Sequence, residues 1–183
     1  MKLVTTGVLV LALAIAVPGV VAAQERVPHA GSSAIGIDAG IYMPSQDNLD
    51  PSFLTGVTYE YYVTPRVSVR TDFGWANPGF DGSTESLRQI PLRADVNYNW
   101  ERGRWHPFVG AGIGAYFLQH RRNDESFGDS ETKTGLNLGG GIEYFFNPRA
   151  AWKFEGRYHK VGESRFGHDP SGLALTAGIK QYF

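Results

Sequence analysis

The chain has no cysteine among its 183 residues, which excludes disulfides, thiolate metal sites, a cysteine nucleophile and a lipid-modified N-terminal cysteine. Long apolar runs are also missing. No run, the N-terminal one included, reaches the ~20 residues a membrane-spanning helix needs, and no helical heptad recurs. Basic residues are not in excess, since 17 Lys and Arg face 18 Asp and Glu. No field suited to nucleic acid follows from that balance. What the chain holds in quantity is glycine and aromatic residues: 23 Gly, 11 Phe, 9 Tyr and 4 Trp.

The N-terminal stretch Met1–Ala23 carries one Lys, an apolar run over Gly7–Val17, a break at Pro18 and the small-residue ending Val21-Ala22-Ala23. It reads as a secretory signal peptide cut after Ala23. Residues 24–32 then form a periplasmic linker, and residues 33–183 a single domain. Lys2 is the one charge lost with the leader. The mature chain keeps 16 basic and 18 acidic residues, a net charge of −2.

Beyond the linker, hydrophobicity alternates with a period of two in eight segments: 34–43, 53–64, 66–76, 89–100, 105–119, 133–146, 151–161 and 172–183. One face of each segment is apolar, as in Leu173, Leu175, Ala177 and Ile179 of the last. The other is mixed and carries Asp38, Glu60, Arg70, Asp72, Arg93, Asp95, Glu143, Lys153, Glu155, Arg157 and Lys180. Slipping a strand by one residue would turn such charges toward lipid, at ~2–4 kcal/mol for each Lys or Arg near the midplane. Charge therefore pins the register. An exported chain that spans a membrane without a helix must be a closed barrel, because hydrocarbon cannot satisfy a sheet edge. The expected fold is all-β: an eight-stranded antiparallel up-and-down transmembrane barrel.

The connections alternate in length. Tight turns lie at 64–66, 101–104 and 147–150, and longer polar stretches at 44–52, 77–88, 120–132 and 162–171. Short turns on one rim and long loops on the other are the outer-membrane pattern. Trp75, Trp100, Trp105, Phe117, Tyr144, Phe146, Trp152 and Phe183 fall where two interfacial aromatic girdles would lie. Pro91 and Pro107 are expected near strand ends, where one lost ladder bond is tolerable.

The runs Arg104-Trp105-His106-Pro107-Phe108-Val109-Gly110-Ala111-Gly112-Ile113-Gly114 and Gly139-Gly140-Gly141-Ile142-Glu143-Tyr144-Phe145-Phe146-Asn147-Pro148-Arg149, with the terminal Phe183, resemble the small eight-stranded outer-membrane barrels similar to the OmpA transmembrane domain. The resemblance implies a cell outer-membrane location in a Gram-negative envelope, with outer-membrane lipid and lipopolysaccharide as surroundings. It also implies that Phe183 is read by the barrel-assembly machinery. The chain departs from the full-length relatives after the eighth segment, so their peptidoglycan-binding domain is not expected. The family includes anchors, adhesins and proteins of other roles, and its motifs specify architecture better than activity.

Three groups of residues could carry chemistry. The lumen charges read as a paired plug, with the Gly110, Gly112, Gly114, Gly139 and Gly141 wall leaving room for Arg93, Lys153, Arg157 and Tyr116 to reach carboxylates. A gate in a narrow ion path is the other reading of them. His159, Glu163 and Ser164 lie together in sequence, yet alternation turns His159 into the lumen and the His-x-Ser spacing of lipid A deacylases is absent. The acids Asp47, Asp50, Asp124, Glu125, Asp129 and Glu131 match no calcium loop, and Arg121, Arg122 and Arg165 could meet lipid phosphates. The expectation is a non-enzymatic surface barrel, without cofactor, metal or nucleic-acid partner, acting structurally or adhesively through four surface loops. A narrow pore is the alternative, and a lipid A-modifying enzyme a more distant one.

Overall fold

Alternating apolar and polar side chains, with glycine on the crowded inner face, produce strands that pair only antiparallel. The computed structural model describes residues 28–122, 125–126, 130–164 and 168–183. The expected leader and its cleavage point lie outside these residues, as do Asp124, Asp129 and Arg165. Among the described residues are nine strands: β1 (Ser33–Pro44), β2 (Ser52–Tyr62), β3 (Val67–Ala76), β4 (Glu85–Asn99), β5 (Trp105–Arg122), β6 (Glu125–Ser126), β7 (Glu131–Asn147), β8 (Ala150–Val161) and β9 (Gly172–Tyr182). The two-residue β6 only folds back on the end of β5. The other eight pair in the order β4-β3-β2-β1-β9-β8-β7-β5, and β4 with β5 closes the ring. No helix of the described residues is long and apolar enough to cross a membrane.

The terminal strand is the keystone of closure. β9 runs against β1 from Ala34↔Tyr182 to Pro44↔Gly172 and against β8 from Ala150↔Gln181 to His159↔Gly172. The sheet thereby has no free edge among its eight long strands, which is what hydrocarbon demands. Burial follows the pleat with a period of two. Ile37, Ile113, Leu136 and Leu138 are each more than 60% exposed on the outside, while Arg70, Arg157, Lys153 and Lys180 are buried within. The inversion of the usual rule, apolar out and ionised in, is the mark of a protein whose outer solvent is lipid.

Two sequence expectations change. Pro91 stands in the middle of β4 rather than near an end, because that strand begins at Glu85. The β3–β4 ladder accommodates it by lapsing between Phe73↔Leu92 and Ala76↔Gln89, opposite the missing N–H. Pro107 does sit at the third position of β5. The long connections are also shorter than the sequence suggests, because Glu85–Arg88, His120–Arg122 and Glu131–Thr132 belong to strands. β4, β5 and β7 reach 15, 18 and 17 residues, against 10–12 for the other five barrel strands. At ~3.3 Å per residue they outrun an apolar band of ~25 Å and project beyond it at the long-connection end.

Candidate functional site

The side chains that face inward form layers from one rim to the other. At the short-turn end Tyr62, Phe145 and Tyr182 pack with Ala34 and Ala151, and the Tyr62 and Tyr182 hydroxyls meet at 3.3 Å. Phe145 faces inward by regular alternation from Glu143, and a β-bulge follows it, between Phe145 and Asn147. Above them Glu143 accepts from the Tyr182 hydroxyl and, at 2.6 Å, from Lys180 Nζ. Lys180 also donates to Glu60, whose carboxylate takes further hydrogen bonds from the Ser68 hydroxyl and, at 3.1 Å, from Asn97 Nδ2.

The next layer centres on Arg70, 1% exposed. Its guanidinium donates to Asp72 at 3.0 Å, to Asp95 at 3.3 Å and to both oxygens of Glu155 at 3.1 and 2.7 Å. Glu155 is shared with Arg157 at 2.5 Å and Lys153 at 3.1 Å. Lys153 reaches Asp38 at 2.8 Å, Arg93 reaches Asp72 at 3.2 Å, and Arg157 donates to Asn137 at 2.5 Å. All eleven lumen charges singled out from the sequence therefore take part in two clusters, one of three charges around Lys180 and one of eight around Arg70. The crossing residues differ from expectation. Arg70 is the hub of the larger cluster, and Tyr116 reaches no carboxylate but meets His159 Nδ1 at 2.9 Å. Glycines make this crossing possible: a Cβ on Gly139 would stand 2.8 Å from Arg157 Cβ and 2.6 Å from the Gly156 carbonyl oxygen.

Against the ion pairs lies a cavity of about 40 Å³, bounded by Asp72, Arg93, Glu155, Arg157, His159 and Ala174, among others. At its long-connection end, connections pack against the strand ends. The Pro170 carbonyl accepts from the Tyr42 hydroxyl at 2.5 Å and from Gln89 Nε2 at 3.1 Å. Leu49, Leu87, Leu118 and Val161 cluster with Phe80 and Tyr116. Phe80 stacks on His120 (centroids 6.2 Å apart, planes 12°) and lies 4.8 Å from His168, with the two imidazoles 5.3 Å apart. The backbone links connection to connection through Ser45 N to Ser171 O and Asp50 N to Gly79 O, both 2.8 Å. Burial, reinforced by the neighbouring His168, holds the His120 imidazole below its ordinary range. At Asp169 burial, which raises a carboxyl, is outweighed by hydrogen bonds from Ser171 and Lys160.

Sequence reasoning missed Tyr42, Gln89 and Pro170. The first two were accessible from the period-two pattern; Pro170 sits in a connection with no period. The aromatic residues assigned to girdles, Trp75, Trp100, Trp105, Phe117, Tyr144, Phe146, Trp152 and Phe183, stand on the outward row or at its ends. Trp105–Tyr144 and Phe146–Trp152 pack as tilted ring pairs, with centroids 4.6 and 5.9 Å apart. His159 is buried against Tyr116 and Tyr42, whereas the Ser164 hydroxyl accepts from the His168 amide at 3.2 Å. These two are not brought together as a nucleophile and base would be. Among the described residues no group of three or more His, Asp or Glu is placed to hold a metal ion.

The comparisons agree with this architecture. The Neisserial surface protein A structure superposes with a TM-score of 0.74 at 16% identity, covering 84% of this chain and 99% of that one. The N-terminal β-barrel domain of Pseudomonas aeruginosa OprF gives 0.62 at 17% identity, covering 84% and 98%. Ail, the attachment invasion locus protein of Yersinia pestis, gives 0.59 at 17%, covering 84% and 99%. No curated protein matches the sequence. The model of the outer membrane protein beta-barrel domain matches residues 8–180. With that match over nearly its whole length, an inward charge network and an apolar exterior, the chain belongs to the outer membrane protein beta-barrel domain family and resides in the outer membrane.

Proposed function

We propose that the protein is a non-enzymatic surface barrel whose lumen is closed, and that its role is structural or adhesive, exercised through the four long connections facing the cell exterior. The observation that carries this reading is the lumen network. Arg70, Arg157, Lys153 and Lys180 are each held between two or more carboxylates. Opening a path would strand buried charges, and breaking one buried pair alone costs ~3–5 kcal/mol. An eight-stranded barrel has little more interior than its own side chains fill. On this reading residues 1–23 direct export and are removed, the short turns and linker lie in the periplasm, and Phe183 is read by the barrel-assembly machinery. Outer-membrane lipid and lipopolysaccharide are its immediate partners. The adhesive half of the proposal is supported by the surface and attachment roles carried in the names of Neisserial surface protein A and Ail.

A narrow pore is the second reading, favoured by the cavity beside Arg93 and His159. Proteoliposomes loaded with KCl or a small sugar separate the two. Closed-lumen protein gives efflux no faster than empty liposomes, and Glu143→Ala or Arg93→Ala lowers stability without raising it. Rapid efflux through the wild-type protein would establish the pore instead.

A further inference from the structure

The larger charge cluster holds four cations and four carboxylates, yet it shares them unevenly. Arg70 alone takes three carboxylates, those of Asp72, Asp95 and Glu155. Arg93 is left with one contact, Nη2 to Asp72 at 3.2 Å, on a carboxylate that Arg70 already holds. Arg157 gives its Nε to Glu155, and its Nη1 to Asn137 and, at 3.4 Å, to Asp95. Two guanidinium nitrogens are left over. Arg93 Nε and Arg157 Nη2 are buried and make no hydrogen bond within the protein, and a charged donor in a low-dielectric interior is costly to leave unmet.

Both arginines stand in the wall of the 40 Å³ cavity. Among the described residues that line it, these two alone carry a buried side-chain polar atom without a hydrogen bond. The carboxylates of the same wall are committed elsewhere. Both Glu155 oxygens accept from Arg70, Asp72 is divided between Arg70 and Arg93, and Asp38 holds Lys153. Tyr116 pairs with His159, and Tyr42 and Gln89 with the Pro170 carbonyl. What the wall offers unmatched is therefore N–H on cations, which calls for an acceptor.

Size and charge narrow the acceptor. The cavity exceeds the ~10–15 Å³ that one water requires and falls far below the ~300 Å³ at which pockets for larger organic ligands begin. Leu54, Ala76 and Ala174 make part of its wall apolar, which suits a weakly hydrated ion. A water would meet the donors without opposing their charge, whereas an anion does both. Four carboxylates already face the four cations, so a single negative charge is the most the site can take.

We propose that the lumen holds a binding site for a small monovalent anion, of chloride size, between Arg93 and Arg157. The site goes beyond the closed-lumen reading and stands whether or not the lumen conducts, because it concerns binding rather than passage.

The test uses bromide and chloride as probes on the detergent-purified protein. Crystals grown in sodium bromide, with data collected at the bromine absorption edge, should show an anomalous peak within hydrogen-bonding distance of Arg93 Nε and Arg157 Nη2. Only water in the cavity at saturating bromide overturns the proposal. In solution, the urea midpoint should rise saturably with sodium chloride and stay level in sodium gluconate of equal ionic strength, whose anion is too large to enter. Equal midpoints in the two salts overturn the site. Ala174→Val fills the cavity beside Arg157, its cross-strand neighbour, without removing a charge, and should abolish both the bromide peak and the chloride dependence. Arg93→Gln, with Asp72 still held by Arg70, is the second variant and should weaken chloride binding at least tenfold. Folding of each is checked by heat-modifiable gel migration. A folded variant of either kind that keeps the full chloride dependence overturns the assignment.

Discussion

The middle of the lumen and its long-connection end are filled by different physics. The middle is built from charges on regular strands: Arg70 on β3, Asp95 on β4, and Glu155 and Arg157 on β8 are fixed by ladders on both sides. The long-connection end joins connections to strands: Phe80 and His168 pack against the His120 ring of β5, and the Pro170 carbonyl accepts from Tyr42 of β1 and Gln89 of β4. Where backbone is rigid, ion pairs repay their desolvation because their geometry is held. Where it is irregular, apolar and aromatic packing fills space without demanding exact placement.

The contrast predicts a graded set of responses. The largest belongs to Arg70→Met, which leaves Asp72, Asp95 and Glu155 without their shared cation. It should lower unfolding stability in micelles by ~3–5 kcal/mol, read as a fall in the guanidinium midpoint. Glu143→Ala should cost less, about 2 kcal/mol, because Lys180 keeps Glu60 while Tyr182 loses its acceptor. Gly139→Ala forces a methyl against Arg157 and should destabilise by ~1–3 kcal/mol through overpacking. An alanine that leaves the midpoint unchanged would show that the glycine wall is roomier than drawn.

The smallest effect concerns the long-connection end alone. His120 is held below its ordinary value of 6.5 by burial and then by His168, so the unpacked form binds a proton before the packed form does. The stability of this packing is complete above about 6.5 and declines as the pH falls from there toward the folded value. Amide exchange at Phe80 and Leu87, which bond to Glu85 and Pro78, should quicken on mild acidification. The core ladder of β8 and β9 should not respond. His120→Phe keeps the stacking and should flatten the response.

Much of this was legible in the sequence because alternation fixes which face a side chain takes. It placed Arg70, Glu155 and Lys180 inside and Ile37 and Leu138 outside. Alternation says nothing about reach across the lumen, so Arg70 as hub and Tyr116 as partner of His159 were not visible. The true starts of β4 and β7 were hidden for a related reason. Past the apolar band the outward row turns polar, and Glu85–Arg88, with Leu87 its one apolar residue, reads as loop although its backbone stays paired. Pro91 misled because proline signals strand ends, whereas here a gap in the β3–β4 ladder absorbs its missing donor. The Pro170 carbonyl contributes to the long-connection end through its backbone, which no side-chain pattern reports.

The central claim is that the inward charges satisfy one another and leave no conducting path. Single-channel recording of the purified wild-type barrel in a planar bilayer at neutral pH tests it most directly. A flat current across applied voltages in concentrated KCl is the predicted result. Regular conductance steps that scale with salt, present in wild type and altered by Arg93→Ala, would contradict it.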